Sequence, residues 1–395
     1  MPLSALGLLT VVTYGTWFYG FGVLFTNLSS YHSVSASTLG LTFGAANLIS
    51  GVGAVATGRR LDVFGPRAVL GVIGPIGAFI YGASSFTTGT TFLATYALGG
   101  GMIGAAGFYS FTQPLAVRVA KTDATRALTR LTIWGAFSSP IMIPLTEVLR
   151  ANYGWQTAVR LPAALTVILF LFATAVCRVE VTSVENRPTL FASVREALSD
   201  TRLRFFTAAV FLSSIAISTL LVFQVPTMTW AGASAATAAL LSSLRGLLQL
   251  AGRIPLVAAI NRFTALRLLV ITHFLLGASA LFLLGSGTVA LALIYIVLAG
   301  VTIGAHSALE GVVAREIVQP QVFGTVMGGI GLIGTVGGSL GPIVAGWLRD
   351  RFDSPIAPML IVVVVACLAG VVFAIRPTNE QNFRATRSHR PTQKS

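Results

Sequence analysis

Charged side chains are scarce in this sequence. They make up 10% of its 395 residues, while hydrophobic residues make up 54%. Soluble globular proteins carry about 25% charged residues. So little charge cannot cover the surface of a water-soluble fold, which excludes that class of protein and predicts a chain that lies within a lipid bilayer.

Cysteine is nearly absent, since only Cys177 and Cys367 occur. Two isolated cysteines exclude a disulfide framework and a cysteine-ligated metal site. The sequence also lacks a phosphate-binding loop, a serine nucleophile elbow and a zinc-binding helix motif. We therefore expect no enzymatic activity, no cofactor and no metal ion.

Apolar runs of about 20 residues, the length that crosses a hydrocarbon core of about 30 Å, recur along the whole chain. The first begins almost at Met1 without a charged leader or a small-residue cleavage site, so it is read as a retained helix. The sequence predicts an all-α integral membrane protein with twelve transmembrane helices, at 4–27, 37–58, 68–86, 91–117, 127–149, 157–177, 205–229, 235–259, 266–285, 288–314, 321–347 and 356–375.

Basic residues give the chain a net charge of +14, which by itself would suit nucleic-acid binding. Their distribution argues otherwise. Twenty of the 26 fall on one side of the predicted helices, whereas only Arg150, Arg349 and Arg351 fall on the other. An excess of lysine and arginine marks the cytoplasmic side of membrane proteins. We expect both termini in the cytoplasm, a location in the cell membrane and no nucleic-acid partner.

The longest polar connection divides the predicted helices six and six. We expect an N-terminal half at 1–177, a cytoplasmic central loop at 178–204, a C-terminal half at 205–376 and a basic tail at 377–395. A shift of 199 residues superposes weakly similar helix ends, such as Phe64 on Phe263. Two pseudo-symmetric six-helix halves favour a transporter with its substrate site between them.

The loop after the second predicted helix carries the most specific motif. Gly58, Asp62, Gly65 and Arg67 match the signature of the major facilitator superfamily, although Val63 stands where a basic residue is usual. The chain therefore resembles that superfamily over essentially its whole length. The resemblance implies secondary transport by alternating access, with this loop closing the cytoplasmic side in one state and Asp62 contacting the second half.

A finer resemblance rests on the stretch Tyr19 to Phe25 and on the Phe-Gly-Pro-Arg sequence that ends at Arg67. Both are similar to the monocarboxylate and oxalate/formate branch of the superfamily. The arginine that proton-driven drug exporters carry in their fourth helix is missing here before Arg118. We therefore expect transport of a small organic anion such as a monocarboxylate. If this transport is coupled to an ion, we expect the ion to be a proton.

Arg245, Gln249 and Arg253 follow one another at four-residue intervals, so they share one face of the helix predicted at 235–259. Each arginine at membrane depth opposes insertion by about 2.5 to 3.5 kcal/mol, which favours a face turned to a cavity or a partner. In the resembled branch an arginine of this helix anchors the substrate carboxylate, and Arg253 sits where it is expected. The alternative is that Arg253 reaches the cytoplasmic interface.

Further candidates lie on other helices. Tyr14 and Tyr109 would offer hydroxyls to the substrate, and the alternative for each is a bond between helices. His306 and Glu310, four residues apart, are candidates for proton coupling because burial shifts such groups toward titration near neutrality. The alternative is a structural pair.

Two other functions remain open from the sequence. The first is a proton-driven exporter of drugs or toxic compounds, which a cavity lined by aromatic residues and turned away from the arginines would favour. The second is a receptor or scaffold without transport. For each of these functions we expect a monomer in the lipid bilayer. For the transporter hypotheses we also expect a small-molecule partner.

Overall fold

The computed structural model describes residues 2–120, 123–177, 189–319 and 322–375, and their regular elements are all helices. We number fourteen: α1 Pro2–His32, α2 Ala36–Phe64, α3 Val69–Ser84, α4 Gly89–Ala120, α5 Ala124–Ala136, α6 Ser138–Val176, α7 Leu190–Ala197, α8 Thr201–Trp230, α9 Ala235–Arg253, α10 Leu256–Arg262, α11 Ala265–Leu284, α12 Val289–Ile317, α13 Phe323–Phe352 and α14 Ile356–Ile375. Of the predicted central loop, 178–188 lies outside the described residues, and so does the tail at 377–395.

The predicted count of twelve membrane helices is not met on length and apolarity alone. In the described part of the chain, nine helices are long and apolar enough to cross a membrane. Helix α6 joins two predicted helices, but Gly154 within it has a φ of 83° and turns the chain. Helix α3 is short, and α9 carries two arginines that lower its hydropathy.

Local sequence explains where these helices begin and end. The Ser35 hydroxyl accepts the N–H of Thr38 at 3.2 Å and so caps α2, as the Asp200 carboxylate caps α8. At the other end of α2, Gly65 has a φ of 72°, a conformation that side chains with a Cβ rarely adopt. Pro66 follows without an N–H to continue the helix.

The hydrophobic core is continuous at one end of the bundle and divided at the other. At the first end a single cluster joins residues of both predicted halves, such as Phe25 with Phe223. At the second end each half has its own cluster, one around Leu61 and Cys177 and the other around Leu203. We call the divided end the basic end, because the loop with Arg59 and Arg67 lies there. The continuous end is called the closed end.

Helices α2 and α13 form the seam between the halves toward the closed end. A Cβ added at Gly44 would lie 2.6 Å from the carbonyl oxygen of Ser339, and one added at Gly40 would collide with that of Pro342. The Asn47 amide donates to Ser339 Oγ at 3.2 Å. Small residues thus allow the two backbones to touch, as in other helix pairs that meet in lipid.

Asp350 secures this seam at its outer edge. Its carboxylate, near the end of α13, accepts the backbone N–H groups of Ala36 and Ser37 at 2.8 and 2.7 Å. These groups begin α2 and have no intrahelical acceptor, and the positive end of the helix favours an anion. The sequence carries no local signal for this contact, because the two partners are separated by more than 300 residues.

We expect Asp350→Asn to loosen the closed end. Asparagine has one carbonyl oxygen in place of two anionic oxygens, so it cannot accept both N–H groups. Because the Asp350 carboxylate is partly solvated, the closed end loses only about 0.5 to 1 kcal/mol of stability. That shifts the population open at this end by about two- to fivefold. Distances between spin labels on α2 and α13 measure the shift. The matched control is Asp353→Asn, one turn away, and an equal shift in both variants would contradict the assignment.

Candidate functional site

One large cavity lies between α2, α4 and α13. Its volume is about 920 Å³, and it runs from Tyr14 and Asn47 in the middle of the bundle to Arg59, Asp62 and Gly324 at the basic end. Both predicted halves contribute to its wall. Because the halves meet at the closed end and separate at the basic end, the cavity has access from the basic end.

Aromatic rings form the inner end of this cavity. The rings of Tyr14 and Phe108 stack with centroids 3.7 Å apart, Trp17 stacks on Phe108 at 5.6 Å, and Tyr109 lies 5.3 Å from Tyr14. Tyr14, Phe108 and Tyr109 line the cavity, whereas Trp17 is fully buried behind them. This end of the cavity suits a planar or apolar group.

Two departures from regular helix bring these rings together. Residues Tyr14–Tyr19 form a π-helical turn in α1, and the extended backbone of Phe108 interrupts α4. Turns of the π type often occur at functional sites. The Tyr81 hydroxyl donates to the carbonyl of Thr16 inside the turn at 2.8 Å and so stabilises it from α3. Hydropathy gives no signal for either departure.

Arg245 lies outside the cavity wall, in the interior of the second predicted half. Its side chain is fully buried, and its Nε donates to the Gln224 amide oxygen at 2.9 Å. The Tyr295 hydroxyl donates to the same oxygen at 3.0 Å. The two terminal nitrogens of Arg245 find no hydrogen-bond partner among the described residues. A buried guanidinium with so few partners is costly, because its charge has left water without an anion to replace it.

Arg253 occupies a different environment, about 12 Å further along α9. Its Nε donates to the Gly304 carbonyl of α12 at 3.2 Å, and a terminal nitrogen reaches the Thr132 carbonyl of α5 at 3.5 Å. The Arg253 guanidinium also interacts electrostatically with the Tyr109 side chain. Gln249 is buried between the two arginines on the same face. The structure thus places the predicted residues along one face, but it separates them into two sites.

The predicted loop motif lies at the rim of the cavity. Gly58 and Asp62 line it, and Asp62 forms an ion pair with Arg118 of α4, in its own half. Arg118 also donates to the Leu61 carbonyl at 3.2 Å. The basic end is open in this structure, so the closing role of Gly58, Asp62, Gly65 and Arg67 stays a prediction.

The predicted coupling pair is in contact. His306 Nε2 lies 3.4 Å from Glu310 Oε2 on α12, and both side chains are mostly buried. The ring of His306 also meets that of His273 on α11, with centroids 4.9 Å apart. The sequence analysis did not connect His273 with this pair, because they are on different helices.

Comparisons with known proteins support this fold. A family model described as Major Facilitator Superfamily matches residues 206–394. No curated protein matches the chain. A crystal structure of a mutant of the nucleoside transporter NupG is 16% identical, covers 95% of this chain and 99% of its own, and gives a TM-score of 0.78. NupG itself gives 0.72 at 15% identity, with 94% and 96% covered.

A further solved structure is a bacterial homologue of the human lysosomal transporter Spinster, in an inward-facing and occupied conformation. It is 15% identical, covers 98% of this chain and 96% of its own, and gives a TM-score of 0.73. The chain therefore has the major facilitator fold, and its many apolar helices make it a multi-pass membrane protein. The monocarboxylate resemblance finds no support among these neighbours.

Proposed function

We propose that this protein is a secondary transporter that works by alternating access. The observation that carries the proposal is the cavity, which lies between the two predicted halves, is reached from one end and is closed at the other by the seam of α2 and α13. A site between halves that rock about it is how transporters with internal repeats expose substrate to each side in turn. We further propose that the basic end faces the cytoplasm of a cell membrane.

For the substrate we propose a small organic anion, such as a monocarboxylate, held by Arg245. The support is the buried guanidinium, whose free terminal nitrogens match the two oxygens of a carboxylate. Tyr295 and Gln224 fix the orientation of its Nε side. Arg245 is sealed from the cavity in this conformation, so contact requires the halves to rearrange around a bound substrate. His306 and Glu310 are proposed to couple the movement to protons.

The second candidate is proton-driven export of drugs or toxic compounds. One observation favours it: Tyr14, Phe108 and Tyr109 line the cavity, while neither arginine of α9 does. An aromatic surface binds flat apolar cations and neutral compounds without a guanidinium. From the sequence, an aromatic cavity turned away from the arginines was the observation that would favour an exporter.

Transport by purified protein in proteoliposomes distinguishes these proposals. Radiolabelled pyruvate, lactate and uridine, and the fluorescent cation ethidium, are tested with and without a proton gradient. We expect pyruvate or lactate to accumulate in the proteoliposomes when a proton gradient is applied. This gradient-driven uptake should be at least ten times the uptake by empty vesicles. Ethidium or uridine transport without carboxylate transport would contradict the organic-anion proposal. If folded protein, inserted in either orientation, moves none of the probes, the transporter proposal is contradicted.

A further inference from the structure

Four side chains from three helices form a row inside the second half. Ser213 of α8, His273 of α11, and His306 and Glu310 of α12 follow one another, and we call them the histidine row. Exposure falls along it: the Glu310 side chain is 18% exposed, that of His306 12%, and the whole of His273 1%. The Glu310 end of the row is therefore the more exposed one, and His273 lies deepest.

The hydrogen bonds of His273 fix its tautomer. Its Nδ1 lies 2.6 Å from the Leu269 carbonyl, which can only accept, so Nδ1 carries hydrogen. Its Nε2 lies 2.6 Å from the Ser213 hydroxyl. In a neutral imidazole Nε2 is then an acceptor. The Ser213 hydroxyl also lies 2.8 Å from the Ala209 carbonyl of its own helix, and it supplies the hydrogen that Nε2 needs when it turns from that carbonyl to the ring. Both ring nitrogens are satisfied without a charge, in a site from which water is excluded.

The groups that face His273 give no reason for it to become charged. Helix α12 presents His306 and, beyond it, Glu310. Helix α14 presents the Phe373 ring and, near Gly277, the Cys367 thiol. Helix α8 presents Ser213, and Arg267 lies at the basic end of α11 itself. The carboxylate of Glu310 contacts His306, so a positive charge is stabilised there and not on the deeper ring.

We propose that the histidine row binds a single proton, held by His306 and Glu310, and that His273 is a neutral positioning residue that prevents a second. Ser213 acts through His273 by occupying its Nε2. One proton added to neutral His306 beside the ionised Glu310 carboxylate gives the row one positive charge, on His306, balanced by Glu310. This proposal adds a positioning residue to the proposed proton coupling. It rests on the proposed function only in linking that proton to transport.

Further support comes from the position of the row beside α9. Arg253 donates to the Gly304 carbonyl, in the helical turn that leads to His306. A Cβ added at Gly304 would collide with the carbonyl of Gln249, so the backbones of α9 and α12 touch at this level. His306, two residues beyond Gly304, faces α11, so a change of its charge reaches α9 through the backbone of α12.

Histidine NMR of the full chain in nanodiscs tests the proton site without any transported substrate. The chain has four histidines, so single His→Gln variants assign their side-chain signals. On acidification we expect the positive charge gained by the row to appear on His306 while His273 stays in the neutral Nδ1–H form. In Ser213→Ala we expect the Nε2 signal of His273 to move to that of an acceptor without a hydrogen bond, while Nδ1–H stays on the Leu269 carbonyl, and Ser213→Thr to keep the parent signal. The matched control is Ser279→Ala, whose buried hydroxyl bonds only to Leu276 of its own helix.

A charged His273 in the parent protein, or an unchanged Nε2 signal in Ser213→Ala, would overturn the proposal. The consequence for transport is read separately, as the pH profile of gradient-driven pyruvate uptake. We expect Ser213→Ala to move the midpoint of that profile by at least half a pH unit and Ser279→Ala to leave it in place. An unmoved profile in both would overturn the positioning role. If no probe is transported at all, the proposed function fails, while the NMR result still decides the proton site.

Discussion

Arg245→Met is expected to abolish carboxylate transport while leaving the protein at least as stable as the parent. The guanidinium is fully buried, and its terminal nitrogens have no partner in the described part of the chain. Replacing such a charge by an apolar side chain of similar length removes a desolvation penalty. Loss of a buried charge-assisted pair with substrate costs about 2 kcal/mol or more, which lowers transport efficiency at least about 30-fold. Uptake of pyruvate and the thermal unfolding midpoint are measured together.

The matched control is Arg253→Met on the same face of α9. That guanidinium already donates to two backbone carbonyls, so its removal loses the hydrogen bonds to Gly304 and Thr132 and lowers stability. We expect it to lower the unfolding midpoint and to reduce transport less than Arg245→Met does. Normal pyruvate uptake by folded Arg245→Met, or a loss confined to Arg253→Met, would return the substrate anchor to Arg253. Arg245→Lys should recover only part of the activity, because lysine lacks the planar fork.

The arginine face shows how far the sequence reached. Spacing of four residues was enough to place Arg245, Gln249 and Arg253 on one face. Which arginine lacks partners depends on Gln224 and Tyr295, which come from α8 and α12. No local pattern carries that information. The family resemblance therefore favoured Arg253, whereas the unpartnered terminal nitrogens favour Arg245.

Helix positions were predictable to within several residues, because hydropathy over about 20 residues averages out local irregularity. The irregularities themselves were not predictable. The π-helical turn at Tyr14–Tyr19 and the break at Phe108 arise from packing among α1, α3 and α4. The break before Leu256 had a signal in Pro255, yet a single helix was predicted at 235–259. These features shape the inner end of the cavity, so the site was less predictable than the fold.

Two glycines of the same seam give the second large expected effect, in opposite directions. A Cβ at Gly331, toward the basic end of α13, meets no atom within 4 Å in the described residues, and Gly331 lines the cavity. Gly44, toward the closed end of α2, has Ser339 and Ile343 within 2.8 Å of an added Cβ. Gly331→Leu should therefore fit the present conformation and obstruct closure of the basic end. Gly44→Leu should obstruct the present conformation and favour the other.

Overpacking of this kind costs about 1 to 3 kcal/mol, so each variant should shift the populations by about five- to 150-fold. Pairs of spin labels at the basic and closed ends of α2 and α13 report both distances. In Gly331→Leu we expect the distances of the present structure to persist, and in Gly44→Leu the closed end to separate.

Both variants should lose at least about 80% of transport, because alternating access requires both states. Gly331→Ala is the control, since one methyl group leaves the cavity open. If both leucine variants shift the distances in the same direction, the seam of α2 and α13 is not the element that alternates.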